Sequence, residues 1–220
     1  MSLELAYTLI KERELVSGNL NQAEQILLES IQASPTARAY GLLAEIQYWR
    51  GEVASKDDKI SIYEKGIDFG KKGTALDKDN VESTFWLGVC YGFLGEERGI
   101  MSSFFLLDPI ETCFNHALKL DESYFYGAPL RSLGFFFHKI PSWPISKGDN
   151  KKALSYLEKA LVYGPEFYLN HLYIAFVHKS LGNMAKYRHH LEWIIEANPT
   201  RKFAEENARY KEQAKKILKH

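Results

Sequence analysis

Cysteine, net charge and long apolar runs are what this 220-residue chain has least of. Two cysteines, Cys90 and Cys113, are too few for a disulfide framework or a metal site, and both are expected to be buried, reduced apolar fillers. Twenty-eight basic side chains balance twenty-eight acidic ones. Phosphate binding draws on a basic surplus, so nucleic acid is not an expected partner. No run reaches the roughly 18 apolar residues that a membrane span needs. The longest, Ile100 to Leu107, is broken by Ser102 and Ser103. Seven prolines and fifteen glycines are too few for a fibrous or disordered chain, while a 45% apolar share suffices for a core. A glycine-rich phosphate loop, a nucleophile elbow and a metal-ligand cluster are all missing. The expectation is therefore binding rather than catalysis, with no catalytic residue, metal or cofactor. Met1-Ser2-Leu3 leads straight into a helical pattern without an export signal, and localisation stays open.

What is present is a period. Ala23, Leu27, Ser30 and Pro35 recur in spacing as Ala153, Leu157, Ala160 and Pro165, and again as Tyr187, Leu191, Ile194 and Pro199. From Pro165 to Pro199 is 34 residues, the tetratricopeptide interval. The marks share one helix face, and the proline ends the helix. The first helix of each pair carries a small residue after a large one, as in Leu43-Ala44, Leu87-Gly88, Leu133-Gly134 and Ile174-Ala175, which lets two backbones approach. The first repeat is poorest, with Ile10-Lys11 and Glu14. Ser17-Gly18-Asn19 and Leu181-Gly182-Asn183 separate the helices of the first and fifth pairs, the glycines supplying left-handed stops. These marks predict an all-α, tetratricopeptide-like helical solenoid in one domain. Its five helix pairs fall at about 4–35, 36–80, 81–123, 124–165 and 166–199, with a polar-faced capping helix over 200–219.

The pairs differ in their internal gaps. From the small residue to the opening mark of the second helix is 12 residues in the first and fifth pairs, but 15, 22 and 19 in the three between. Insertions of 3, 10 and 7 residues are thus expected between the helices of the central pairs, on one edge of the array. One holds Ile100, Met101 and Phe104 to Leu107, stopped by Asp108-Pro109; the other reads Ile140-Pro141-Ser142-Trp143-Pro144-Ile145. The second helix of the second pair runs long, from about Asp57 to Leu76. First helices line the inner side of this repeat type. Its register puts Arg38, Glu45, Tyr48 and Trp49, then Phe85, Val89 and Phe93, then Arg131, Phe135, His138 and Lys139, then Leu172, Phe176 and Lys179 on that side. An open aromatic groove with a few polar anchors suits a small molecule; a groove filled by the insertions or the last helix makes the same residues core. Both readings stay open.

The stretch Tyr124 to Pro165, with Phe85-Trp86-Leu87-Gly88-Val89 before it, resembles the TatT-type proteins, the T components of some TRAP transporters. Gly127-Ala128-Pro129-Leu130-Arg131, Leu133-Gly134, Pro141, Gly148-Asp149, Lys152-Ala153 and Leu157-Glu158-Lys159-Ala160 carry the likeness. It implies a ligand-accessible cavity, periplasmic lipoprotein status and self-association into small oligomers. Under it the chain is periplasmic, given a removed export signal, and otherwise cytoplasmic.

The candidate binding residues are Trp49, Phe85, Trp86, Phe93, Arg131, Phe135, His138, Lys139, Trp143 and Phe176. Arg131 needs a partner, either a carboxylate such as Glu45 or Glu82 or the carboxylate of a ligand. His171 and His178, seven apart, could share a helix face and read as packing or surface rather than a metal site, while His189-His190 read as surface. The first functional expectation is a groove for a small amphipathic organic acid or a transporter-associated partner. The alternative is a protein–protein adaptor taking a peptide on the concave face. A homo-oligomer, dimer or trimer, accompanies either.

Overall fold

The computed structural model describes residues 2–99, 104–199 and 203–219. Eleven α-helices form among them: α1 Leu3–Lys11, α2 Asn19–Ala33, α3 Ala37–Val53, α4 Lys56–Leu76, α5 Val81–Arg98, α6 Leu107–Leu120, α7 Tyr124–Lys139, α8 Asn150–Tyr163, α9 Tyr168–Ser180, α10 Met184–Glu196 and α11 Ala204–Lys219. Capping chemistry fixes several starts. Ser2, Thr36 and Asn80 accept from backbone N–H groups in the first turns of α1, α3 and α5, and Asp149 accepts from the N–H groups of Lys151 and Lys152 in α8. Gly18 and Gly182 take the left-handed backbone (φ 92° and 75°) that their turns require.

The helices form two compact units, residues 1–121 and 122–220. In the first, α1–α2, α3–α4 and α5–α6 pair, and one core cluster gathers Tyr63 and Ile67 of α4 with Leu87, Cys90 and Leu94 of α5. In the second, α7–α8 and α9–α10 pair and α11 covers α10, burying Tyr168, Leu172, Ala175, Tyr187, Leu191, Ile194 and Ala214 together. The repeat marks Ala23, Leu27, Ala153, Leu157, Ala160, Tyr187, Leu191 and Ile194 are all buried. The small residues do the expected work: a Cβ on Gly88 would stand 2.8 Å from Cys113 Cβ, and one on Gly134 would stand 2.5 Å from Leu157 Cγ. A second stripe, Gly66, Gly70 and Gly73 of α4, admits Cys90, Leu87 and Ser83 of α5 in the same way.

Four expectations change. Helix α1 stops at Lys11, so Glu14 is not in it; the Glu12 carbonyl instead accepts from the Asn19 side chain, and residues 12–18 run as successive turns. The three extra residues of the second pair make no loop, because α3 (17 residues) and α4 (21 residues) absorb them, leaving Ala54 and Ser55 as the connection. Asp108-Pro109 opens α6 rather than stopping a run; a proline in the first helical turn costs no hydrogen bond. Phe104 and Phe105 of the preceding 3-10 turn are exposed, whereas Leu106 packs on the first unit's core. Ile100 and Met101 of that insertion, and Thr200 at the expected start of the last helix, lie outside the described residues. Cys90 is buried but Cys113 only half-buried, and burial pushes both thiols up, Cys113 to about 12, which leaves neither a ready nucleophile.

Candidate functional site

In the first unit the inner register of α3 and α5 converges on one aromatic group. Tyr48 lies 4.6 Å from Trp49, 5.3 Å from Trp86 and 5.1 Å from Phe93 between ring centroids. Phe85 meets Trp86 edge-on at 5.1 Å. Trp49, Phe85 and Trp86 are buried, and Phe93 is half-buried between Tyr48 and Tyr63. Glu45, one turn before Trp49, is fully buried, accepts from the indole Nε1 at 3.1 Å through Oε1, and leaves Oε2 without a hydrogen bond. Desolvation raises its pKa, against the opposing charges of Lys11 and Arg13. Arg13, from the segment between α1 and α2, stacks its guanidinium 3.3 Å from the Trp49 ring.

The second unit holds the other candidates in two environments. Phe135 is half-buried, stacked on Tyr173 at 3.8 Å, with the Lys139 ammonium 5.5 Å above its ring. His138 Nδ1 is 2.8 Å from Asn150 Oδ1, and Phe176 packs against the core of the α9–α10 pair. Trp143 stands apart, 86% exposed, with Ile145 70% exposed beside it. Their loop is tied by its own backbone: Gly148 N–H donates to the Pro141 carbonyl at 2.9 Å, Ile145 N–H to Ser142 at 3.1 Å, and Asp149 N–H to Phe137 at 3.0 Å. The insertion is therefore a formed loop that presents a tryptophan.

Arg131 is held inside the second unit. It is buried, donates to Asn170 Oδ1 at 3.0 Å and the Tyr126 carbonyl at 3.2 Å, and lies over the Phe167 ring at 4.6 Å. Asn170 in turn donates to the carbonyls of Gly164, Ala160 and Tyr126. Phe125, Tyr126 and Gly127 all take left-handed backbone (φ 44°, 61° and 73°), an unfavourable conformation for the two aromatics. The Arg131–Asn170 pair clamps that turn, and Pro129 follows in the first turn of regular helix. The Gly127 to Arg131 motif is thus a turn and its clamp.

His171 and His178 are buried on one face of α9, but His190 is half-buried rather than on the surface, and only His189 of that pair is exposed. His171 stacks on Trp193 at 3.5 Å. Among the described residues no group of three or more His, Cys, Asp or Glu side chains is placed to hold a metal. Sequence periodicity gave no sign of Asn170 as a buried polar group, because the carbonyls that satisfy it lie 6, 10 and 44 residues away.

No family model matches the chain, and neither does any curated protein. Among solved structures, TTC0263, a thermophilic TPR protein of Thermus thermophilus, aligns with a TM-score of 0.71 at 15% identity, over 99% of this chain and 97% of that one. MamA aligns with a TM-score of 0.47 at 17% identity, over 96% of this chain and 97% of its own. Yeast Tom70 gives 0.38 at 14% identity, over 90% of this chain and 50% of that one. The last two are too distant to weigh, and the first speaks for fold alone: this chain is an all-α helical repeat of the tetratricopeptide type.

Proposed function

We propose that this chain is a non-catalytic interaction adaptor whose partner is a protein, engaged as a peptide segment. One observation carries the reading. Trp143 and Ile145 are held in water on a loop already tied by its own backbone bonds. A rigid, exposed tryptophan loses little conformational entropy on binding and gains much from being covered, which makes it an anchor for a protein contact. Lys139 and His138, at the end of α7, flank that anchor in sequence, and half-buried Phe135 and Phe176 offer further apolar area in the same unit. In the first unit Trp49, Phe85 and Trp86 are buried and Phe93 half-buried, so that aromatic group is packed within the unit. Stacked helix pairs serve as contact scaffolds, a supporting analogy at the level of fold.

The small-acid reading, with its transporter association, rests on Arg131 as a carboxylate anchor. That guanidinium is engaged by Asn170 and Tyr126, so the adaptor comes first. The test is capture of a partner from the native host with the full chain, followed by titration of that partner against Trp143→Ala. The adaptor reading expects a protein whose affinity drops about tenfold or more on removal of the anchor. A partner indifferent to Trp143, or a co-purified organic acid with no protein, sinks it. Dimer or trimer formation through the same loop is the competing occupant, and light scattering of wild type beside Trp143→Ala separates the two.

A further inference from the structure

We infer that His171 and His190 form a two-histidine site for a divalent transition-metal ion of the zinc and copper class, held between α9 and α10. The inference is independent of the adaptor reading, since it uses neither the Trp143 loop nor a protein partner.

His171 stands in the first turn of α9 and His190 in the middle of α10, with their Nδ1 atoms 3.1 Å apart and their ring centroids 5.2 Å apart. Two imidazole nitrogens on one tetrahedral ion, each about 2.0–2.1 Å from it, stand about 3.3 Å from one another. The pair already has nearly that spacing. Its members come from different helices, which spacing along one helix does not reveal.

His171 is already set as a ligand. Its Nε2 lies 2.7 Å from the Pro165 carbonyl, which fixes a hydrogen on that nitrogen and leaves the Nδ1 lone pair facing His190. A carbonyl behind the ring is what orients many metal-binding histidines. Trp193 stacks on the ring at 3.5 Å with the planes 5° apart, which holds its tilt. His190 is only half-buried, so the pair is not sealed from water. Beside it His178 lies with its ring centroid 5.8 Å from that of His190, and its Nδ1 is buried without a hydrogen bond. That state is costly, and a metal-bound water next to His190 relieves it.

On binding, the hydrogen of His190 Nδ1 leaves to solvent and its Nε2 takes one up, so both rings stay neutral. Burial lowers the pKa of both, so protons do not compete with the ion at neutral pH. Lys186 opposes a cation here, while Glu158, near His178, favours one. Two protein ligands are fewer than the three or four of a permanent zinc site, so water completes the shell and the ion exchanges. While bound, it ties α9 to α10.

The test titrates the untagged full chain, stripped with a chelator, with Cu²⁺ at neutral pH, read by calorimetry and tryptophan fluorescence. The expectation is one ion per chain and quenching that a chelator reverses. His171→Asn and His190→Asn are each expected to weaken binding by about tenfold or more, while His116→Asn, in the first unit, binds as wild type does. Trp193→Phe is expected to keep the binding and lose most of the quenching. No saturable binding, equal affinity in the wild type and His190→Asn, equal weakening by His116→Asn, or quenching that survives Trp193→Phe overturns the proposal. Where an asparagine variant loses helical circular dichroism, imidazole nitrogen resonances of the wild type decide. Zn²⁺ is expected to move the Nδ1 signals of His171 and His190, and unmoved signals overturn the proposal.

Discussion

His171 and His190 face each other with their Nδ1 atoms 3.1 Å apart, so at most one of these two nitrogens carries a proton in the neutral pair. His171 Nε2 is 2.7 Å from the Pro165 carbonyl, which fixes a hydrogen there and leaves Nδ1 as acceptor for His190. Burial is the main force lowering both pKa values, His190 to about 3, and it lowers His178 as well. The charges of His189 and Lys186 add to the effect, while Glu158 opposes it at His178.

The sign follows from that lowering. Unfolded histidines take up protons near pH 6.5, the folded ones only at lower pH, so acid favours the unfolded chain. The second unit is expected to keep full stability above about pH 7 and to lose it as pH falls through 6 towards 3, by up to about 1.4 kcal/mol per pH unit for each extra proton. Half-exposed His190 contributes less than that ceiling. Urea midpoints of the full chain between pH 8 and pH 4.5 measure the slope, and His190→Asn flattens it.

Glu45 behaves oppositely. Its raised pKa means that the folded state holds its proton more tightly than the unfolded state, so its contribution is lost as pH rises above about 4.5. Glu45→Gln removes a buried charge without changing shape and is expected to stabilise the chain at pH 8 by on the order of 1 kcal/mol, with a smaller gain at pH 5. Equal urea midpoints for the variant and wild type at both pH values would show that Glu45 costs nothing.

Asn170 bonds four groups at once through Gly164, Ala160, Tyr126 and Arg131. Asn170→Ala leaves those carbonyls and the guanidinium short of partners and frees the left-handed turn at 125–127. A loss of about 2–3 kcal/mol is expected. Thermal unfolding checks the loss, and faster hydrogen exchange confined to residues 124–131 would identify the turn as its cause.

Gly134 lies where α7 meets α8, and an added Cβ would stand 2.5 Å from Leu157 Cγ and 3.0 Å from the Ala153 carbonyl. The carbonyl cannot move without opening α8. Gly134→Val is expected to cost about 1–3 kcal/mol or more, since overpacked contacts force the backbone apart. Gly92, with open space where its Cβ would be, is the control: Gly92→Ala is expected to be neutral or slightly stabilising because it removes a helix-interior glycine. Melting temperatures of the two variants should separate clearly.

Much of the fold is legible in the chain because its signals are local. Apolar residues at helical spacing chose Leu27, Leu157 and Leu191 as core, glycine chose the stops at Gly18 and Gly182, and the 34-residue recurrence chose the repeat class. Those choices need only one helix and its immediate neighbour. The length of α1 was not legible, because what ends it is Asn19 reaching back to Glu12.

The candidate site divides the same way. Sequence alone determined which residues are aromatic, that they fall on first helices, and that one insertion carries a tryptophan between prolines. Tertiary structure decided which of them meet water. Trp143 is out because its loop satisfies its own backbone bonds, whereas Trp49 is covered because Arg13, thirty-six residues earlier, folds back over its ring. Helical periodicity records the face on which a side chain lies. It does not record what the rest of the chain lays upon that face, and burial depends on that covering.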